Sequence, residues 1–174
     1  MNYLSLRDKI ENGDVVFLEP GNSLGKLIPV FTGGSVSHCG IAVWLKDSRG
    51  VDRLMLLEGK GGGCRLVTLS SYAHRNMVVA RVGLYWGLVE DYALSKVGVV
   101  QYGYADLFWI WLREVLVRNG ASSLAGVVPD TSGEVCSQVV ADILRRGGFD
   151  MVTLISPNRL LKEMKRLYQA TVLK

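Results

Sequence analysis

A thiol becomes a nucleophile when its thiolate is stabilised, and the start of an α-helix beside an imidazole is a cheap way to achieve that. Cys136 meets the first condition. It follows Thr131-Ser132-Gly133-Glu134, a capping-type stretch, and opens the run Cys136-Ser137-Gln138-Val139-Val140. The backbone N–H groups of Cys136 and Ser137 would point out of such a helix start, where they can also stabilise an oxyanion. The competing reading of Cys136 is a small buried hydrophobe, the usual fate of a free cysteine.

The chain has only two histidines, His38 and His74. His38 stands at the entrance of an apolar strand, in Ser35-Val36-Ser37-His38-Cys39-Gly40-Ile41-Ala42, and a strand holds an imidazole as rigidly as a general base must be held. Glu58 ends the strand expected to pair with it. The two positions are equally far from Ser48 in the turn, so a simple hairpin sets them opposite one another on one face. A carboxylate there would orient the ring and favour its charged form, whereas a one-residue bulge would undo the geometry. Taken singly, His38 reads as a satisfied core histidine and Glu58 as a solvated strand end. Taken with Cys136 they form a nucleophile, base and orienting group. His74 sits in a polar segment between Ala73 and Arg75 and reads as surface loop.

The elements that must position these groups fall into a strand-rich first half and a helical second half. Val15-Val16-Phe17-Leu18, between Gly13-Asp14 and Pro20-Gly21, is a buried strand. Cys39 to Leu45 and Arg53 to Glu58 form an antiparallel hairpin around Lys46-Asp47-Ser48-Arg49-Gly50. Further strands are expected at Arg65 to Leu69 and Met77 to Val82. From Leu88 the spacing becomes helical, with a longer apolar helix at Asp106 to Arg118. Val135, Val139, Val140, Ile143 and Leu144 share one helical face, ended by Gly147-Gly148. Ser156-Pro157 caps a basic C-terminal helix. Nothing resembling a repeat or linker divides the 174 residues, so one α+β domain spanning 1–174 is expected, a small antiparallel sheet packed against helices that include the one opened by Cys136.

Composition narrows the function classes. Hydrophobic residues at 49% and charged residues at 21% fit a globular chain. The net charge of +4 arises from 20 basic and 16 acidic side chains spread along the sequence, and a nucleic-acid partner is not expected. Charges in Met1 to Asp8 stand where a secretory signal needs its apolar stretch, and the apolar run Leu107 to Leu112 is far shorter than the roughly 20 residues of a bilayer span. Three cysteines, Cys39, Cys64 and Cys136, without a CxxC pair argue against a disulfide framework and a familiar zinc site. A cytoplasmic setting, with no metal and no cofactor, is therefore the expectation. Gly59-Lys60-Gly61-Gly62-Gly63 lacks phosphate-loop spacing and reads as a mobile loop beside the third strand. Lys162, Lys165, Arg166 and Lys174 read as a solvated helix face, with contact to an anionic membrane surface as the alternative.

At these residues the sequence resembles the circularly permuted relatives of the NlpC-type, papain-like hydrolases, and among them the YaeF/YiiX-like permuted amidases. Gly13-Asp14-Val15-Val16-Phe17 is similar to that family's opening turn and strand. Ser37-His38-Cys39-Gly40-Ile41 resembles its histidine motif, and Leu57-Glu58 the strand bearing its third polar residue. Gln101-Tyr102-Gly103-Tyr104 resembles its tyrosine segment, with Gly103 in place of the usual acidic residue, and Val135-Cys136-Ser137-Gln138-Val139-Val140 its nucleophile helix. The order is the signature: the histidine strand comes first and the cysteine much later. The resemblance implies a permuted papain-like fold with Cys136 as nucleophile, His38 as base and Glu58 as orienting residue, and Tyr102 or Tyr104 beside the pocket, unless both rings simply pack in the core.

The activity so implied is thiol-dependent cleavage of an amide, peptide or ester bond through an acyl-enzyme, on a peptide, peptidoglycan fragment or acyl amide. Acyl transfer to a lipid or amine is the second reading, hinted at by Phe108-Trp109-Ile110-Trp111. A non-catalytic binding module of the same fold is the third, and zinc held by Cys39, Cys64, Cys136 and His38 the fourth. The family suggests a bacterial or bacteriophage origin, the latter reconciling a wall substrate with release by lysis.

Overall fold

Nearly continuous apolar runs along the first half build a sheet with two buried faces. The computed structural model of the chain describes residues 2–21, 34–60, 63–98, 112, 115–116, 119–120, 136–152 and 155–173. Among these, a short helix α1 (Tyr3–Leu6) and a 3₁₀ turn (Arg7–Lys9) precede strands β1 (Val15–Leu18), β2 (His38–Lys46), β3 (Asp52–Lys60) and β4 (Gly63–Thr68). A 3₁₀ turn (Leu69–Tyr72), β5 (Met77–Arg81), a further turn (Trp86–Leu88) and helices α2 (Glu90–Ser95), α3 (Cys136–Arg146) and α4 (Pro157–Leu167) follow, and the two-residue β6 (Thr171–Val172) closes the series. The strands form one antiparallel sheet in the order β4-β3-β2-β1-β5-β6.

Odd and even positions go to different cores. Val15, Phe17, Cys39, Ile41, Val43 and Leu57 face a cluster that contains Cys136, Val139, Val140, Ile143 and Leu144 of α3. Val16, Leu18, Ala42, Leu54 and Leu56 face Tyr3, Leu6, Leu69 and Tyr72 on the other side. Helix α3 packs on β2 and β3 and is flanked by α4. It ends where expected: Gly148 adopts φ +90°, Phe149 N–H donates to Leu144 O at 3.1 Å and Gly148 N–H to Arg145 O at 3.0 Å, which is the Schellman arrangement. Ser156 caps α4 by accepting from Arg159 N–H, with Pro157 in the first turn.

The five expected strands are present with boundaries shifted by a residue or two. The helix expected from Leu88 is shorter, Glu90–Ser95, because Gly98 with φ +77° turns the chain there. Helix α1 and strand β6, too short to carry a periodic signal, add to the expected elements. Most of the expected helix Asp106 to Arg118 lies outside the described residues. Leu112, Val115 and Leu116 from it are helical. The reading of 59–63 as a mobile loop is corrected at its ends: Gly59 and Lys60 belong to β3, Gly63 to β4, and Lys60 pairs with Gly63 across the connection.

Candidate active site

Cys136 is the first residue of α3 and is 6% exposed. The N–H groups of that first turn have no intrahelical acceptor. The helix start lies directly on β3: a Cβ added to Gly59 would meet Val139 Cγ2 at 3.1 Å and the Cys136 Cα and N at 3.3 Å. Glycine at 59 is therefore what lets the sulfur-bearing turn approach the sheet. The thiol lies within electrostatic reach of two residues of β2, Cys39 and His38, and their fields act on it.

His38 opens β2, and its Nε2 lies 2.5 Å from Glu58 Oε2. The expected pairing of these residues is corrected in register. β2 and β3 pair as Ile41 with Leu57 and Lys46 with Asp52, two residues away from a hairpin centred on Ser48. Glu58 is thus diagonal to His38 rather than opposite it. A shift of two preserves the face, and diagonal neighbours remain within reach of long side chains. By strand alternation Glu58 belongs to the Tyr72 side of the sheet, whereas Cys39 and Cys136 belong to the helix side. His38, at the strand end, connects the two.

Glu58 is fully buried and fully partnered. Its Oε1 accepts from Arg65 Nε and Nη2 at 3.0 and 2.9 Å, and the Tyr72 hydroxyl lies 2.9 Å from both carboxylate oxygens. Burial opposes its charge, but the His38, Arg65 and Tyr72 hydrogen bonds overcome it and hold the carboxyl down at about 2. Burial also opposes charge on His38. The Cys136 thiolate and then Glu58 outweigh it and lift the imidazole to about 9. For Cys136 the hydrogen bond from Cys39 is the largest influence, burial opposes it, and the His38 charge adds to it, leaving the thiol well below its usual range. Cys39 itself is pushed up by burial and stays a thiol that can donate. The resting form these fields favour is a thiolate beside an imidazolium.

Of the remaining expected site residues, Ser137 is buried with its hydroxyl donating to Ile155 O, so only its backbone N–H is available to a reacting group. Tyr102 and Tyr104 lie outside the described residues, as does Phe108 to Trp111. His74 is exposed, as expected. Arg65, Tyr72, Cys39 and Asn158 are site residues that the sequence reading missed. Arg65 was recoverable, because a two-residue connection at Gly61-Gly62 sets it directly opposite Glu58. Tyr72 and Asn158 reach the site through tertiary packing and carry no local signal, whereas Cys39 follows His38 directly along β2.

Asn158 holds the lead-in to His38. Its buried amide accepts from Val36 N–H at 3.0 Å and donates to Val36 O at 2.8 Å, and Gly34 leaves the space: a Cβ there would lie 2.1 Å from Asn158 Oδ1. Since the Ser137 hydroxyl bonds Ile155 O, the 155–158 turn grips both the nucleophile helix and the histidine strand. Asn158→Ala strands two backbone groups at a buried position and is expected to cost about 2–4 kcal/mol in chemical denaturation.

The fold is thus an α+β one whose buried site joins a helix-start thiol, an imidazole and a carboxylate. No family model matches the chain, and no curated protein matches it. Among solved structures it is similar to the crystal structure of metalloprotein yiiX from Escherichia coli O157:H7, with a TM-score of 0.50 and 16% identity over 94% of this chain and 96% of that one. The similarity is one of fold.

Proposed function

We propose that the chain is a cysteine hydrolase of the permuted papain-like type that cleaves an amide, peptide or ester bond, with Cys136 as nucleophile, His38 as its acid–base partner and Glu58 as the orienting residue. The support for this reading is a helix-start thiol whose ionisation is coupled to His38, with His38 Nε2 2.5 Å from a fully buried Glu58 carboxylate. With Nε2 engaged by Glu58, Nδ1 is the ring nitrogen that serves the thiol. The thiolate attacks the acyl carbon, and the S–C bond forms as the carbonyl oxygen takes the negative charge toward the N–H groups of Cys136 and Ser137 at the helix start. The imidazolium protonates the leaving amine or alcohol as its bond to the acyl carbon breaks. Water then attacks the thioester, giving its proton to His38, and the thiolate is released with the acid product.

The likeness in fold to yiiX supports a protein of that architecture. The yiiX protein is described as a metalloprotein, but among the described residues of this chain no three His, Cys, Asp or Glu side chains are grouped to hold a metal. No step is routed through a metal. A binding module that had lost catalysis would not need a partnered imidazole against a stabilised thiolate, which favours the hydrolase. No helix among the described residues is long and apolar enough to cross a membrane.

The test is turnover of p-nitrophenyl acetate with mass spectrometry of the trapped intermediate. Acetyl should appear on Cys136 and not on Cys39 or Cys64, and Cys136→Ser should abolish both the adduct and the burst. Acetylation spread over all three cysteines would overturn the reading. The pH profile has a definite shape: kcat/KM rises as Cys136 ionises below the usual thiol range and falls as pH passes about 9, where His38 loses the proton it must donate.

A further inference from the structure

Charge around the site is lopsided. Lys60 and Arg75 both stand at the ring of Tyr72, the Lys60 Nζ 5.5 Å and the Arg75 guanidinium carbon 5.6 Å from its centroid, and that ring is 6.3 Å from the ring of His38. The partners of these cations are neutral. Lys60 donates to the Tyr72 hydroxyl at 3.3 Å. Arg75 donates to Glu19 O through both Nε and Nη2 and to Ser37 Oγ at 3.2 Å. The Glu19 carboxylate is turned to the Asn76 amide, and the nearby Glu58 carboxylate is already shared among His38, Arg65 and Tyr72. Among the described residues, neither Lys60 nor Arg75 has a carboxylate in ion-pair contact. Lys60 is exposed, so its ammonium keeps donors free for a ligand, while the half-buried Arg75 adds to the field.

We infer that the site selects acyl substrates carrying an anionic group close to the scissile carbonyl, with Lys60 as the residue that meets that group. The inference rests on the thiol-hydrolase reading and names its substrate class. The physics is that of cationic charge near the site: it raises the local concentration of anions and holds them once bound, and salt weakens the effect. Arg65, whose guanidinium is tied to Glu58, balances the buried carboxylate and leaves the Lys60 and Arg75 charges in excess.

The experiment compares two alkylating reagents of nearly equal size, anionic iodoacetate and neutral iodoacetamide, on the whole protein at pH 7. In each, the Cys136 sulfur forms a bond to carbon as iodide leaves. The ratio of the two rates at Cys136 is followed by mass spectrometry in the wild type, in Lys60→Gln and Lys60→Glu, and in Lys46→Gln, which removes a like charge at the opposite end of β2. The expected result is a ratio lowered roughly three- to tenfold by Lys60→Gln, lowered further by Lys60→Glu, unmoved by Lys46→Gln, and falling with added salt in the wild type. Hydrolysis of the mono-p-nitrophenyl ester of succinate against p-nitrophenyl butyrate should change in the same sense, chiefly through KM. Selective alkylation of Cys136 with one ratio in all four proteins would overturn the inference and leave the thiol chemistry standing. Failure of Cys136 to react selectively with either reagent would instead overturn the catalytic reading itself, and this inference with it.

Discussion

His38→Ala should slow alkylation of Cys136 by iodoacetamide at pH 6 by roughly ten- to a hundredfold, the loss that follows from raising a thiol pKa by one to two units. Three influences act on this sulfur: the hydrogen bond from Cys39 lowers its pKa, burial raises it, and the imidazolium lowers it. Removing His38 takes away its charge and leaves burial opposed by the Cys39 side chain and backbone, so the thiol pKa moves up and the thiolate fraction at pH 6 falls. The measurement is the second-order alkylation rate against pH. Wild type should show a single ionisation well below the range of an ordinary thiol, with no decline at high pH, because alkylation needs no proton donor. The variant should show its ionisation displaced to higher pH, with the two rates converging above it. Superimposable curves would mean that the ring does not stabilise the thiolate, and the catalytic assignment would fail.

Glu58→Ala should destabilise the fold by about 3–5 kcal/mol, the usual consequence of removing one member of a buried ionic cluster. Its carboxylate has no exposure and holds three donors, His38, Arg65 and Tyr72, and alanine would leave two buried donors facing a void. Glu58→Gln keeps the volume and one acceptor, so it should cost less in denaturation while still removing the charge that helps support the imidazolium. Linkage gives an independent check. Glu58 titrates at about 2 in the folded chain against 4.5 ordinarily, so it contributes stability above 4.5 that is lost as pH falls toward 2. His38 is raised to about 9 from 6.5, so its contribution is complete below 6.5 and is lost as pH rises through 9. Stability from this pair is therefore greatest between about 4.5 and 6.5. Glu58→Gln should flatten the acid side of that profile, and a steep acid limb surviving in it would show that the carboxylate is not the titrating group.

Much of this arrangement could be read from local pattern. The apolar runs of Val15–Leu18 and His38–Lys46, the cap at Ser156-Pro157 and the Gly147-Gly148 stop are all short-range signals, and each element formed where its residues direct. The same holds for Cys136 at a helix start and for His38 and Glu58 on one face. The register was not legible. A hairpin centred on Ser48 and one displaced by two residues present identical faces to the core, so the hydrophobic pattern cannot separate them. The glycine run at 59–63 misled for a related reason: glycine is needed at turns, but at Gly59 it is needed because a helix start occupies the space where a side chain would stand.

The amino-acid order by itself determined which residues have the chemistry and which short elements carry them, because propensity, capping and period act over a few neighbours. Only the tertiary structure decided that Cys39 acts on Cys136, that Tyr72 closes on Glu58, and that Asn158 grips Val36 across 122 positions of sequence. Those contacts join residues with no local relation to one another. They exist because two faces of one sheet are covered by different segments that meet at the strand end where His38 stands.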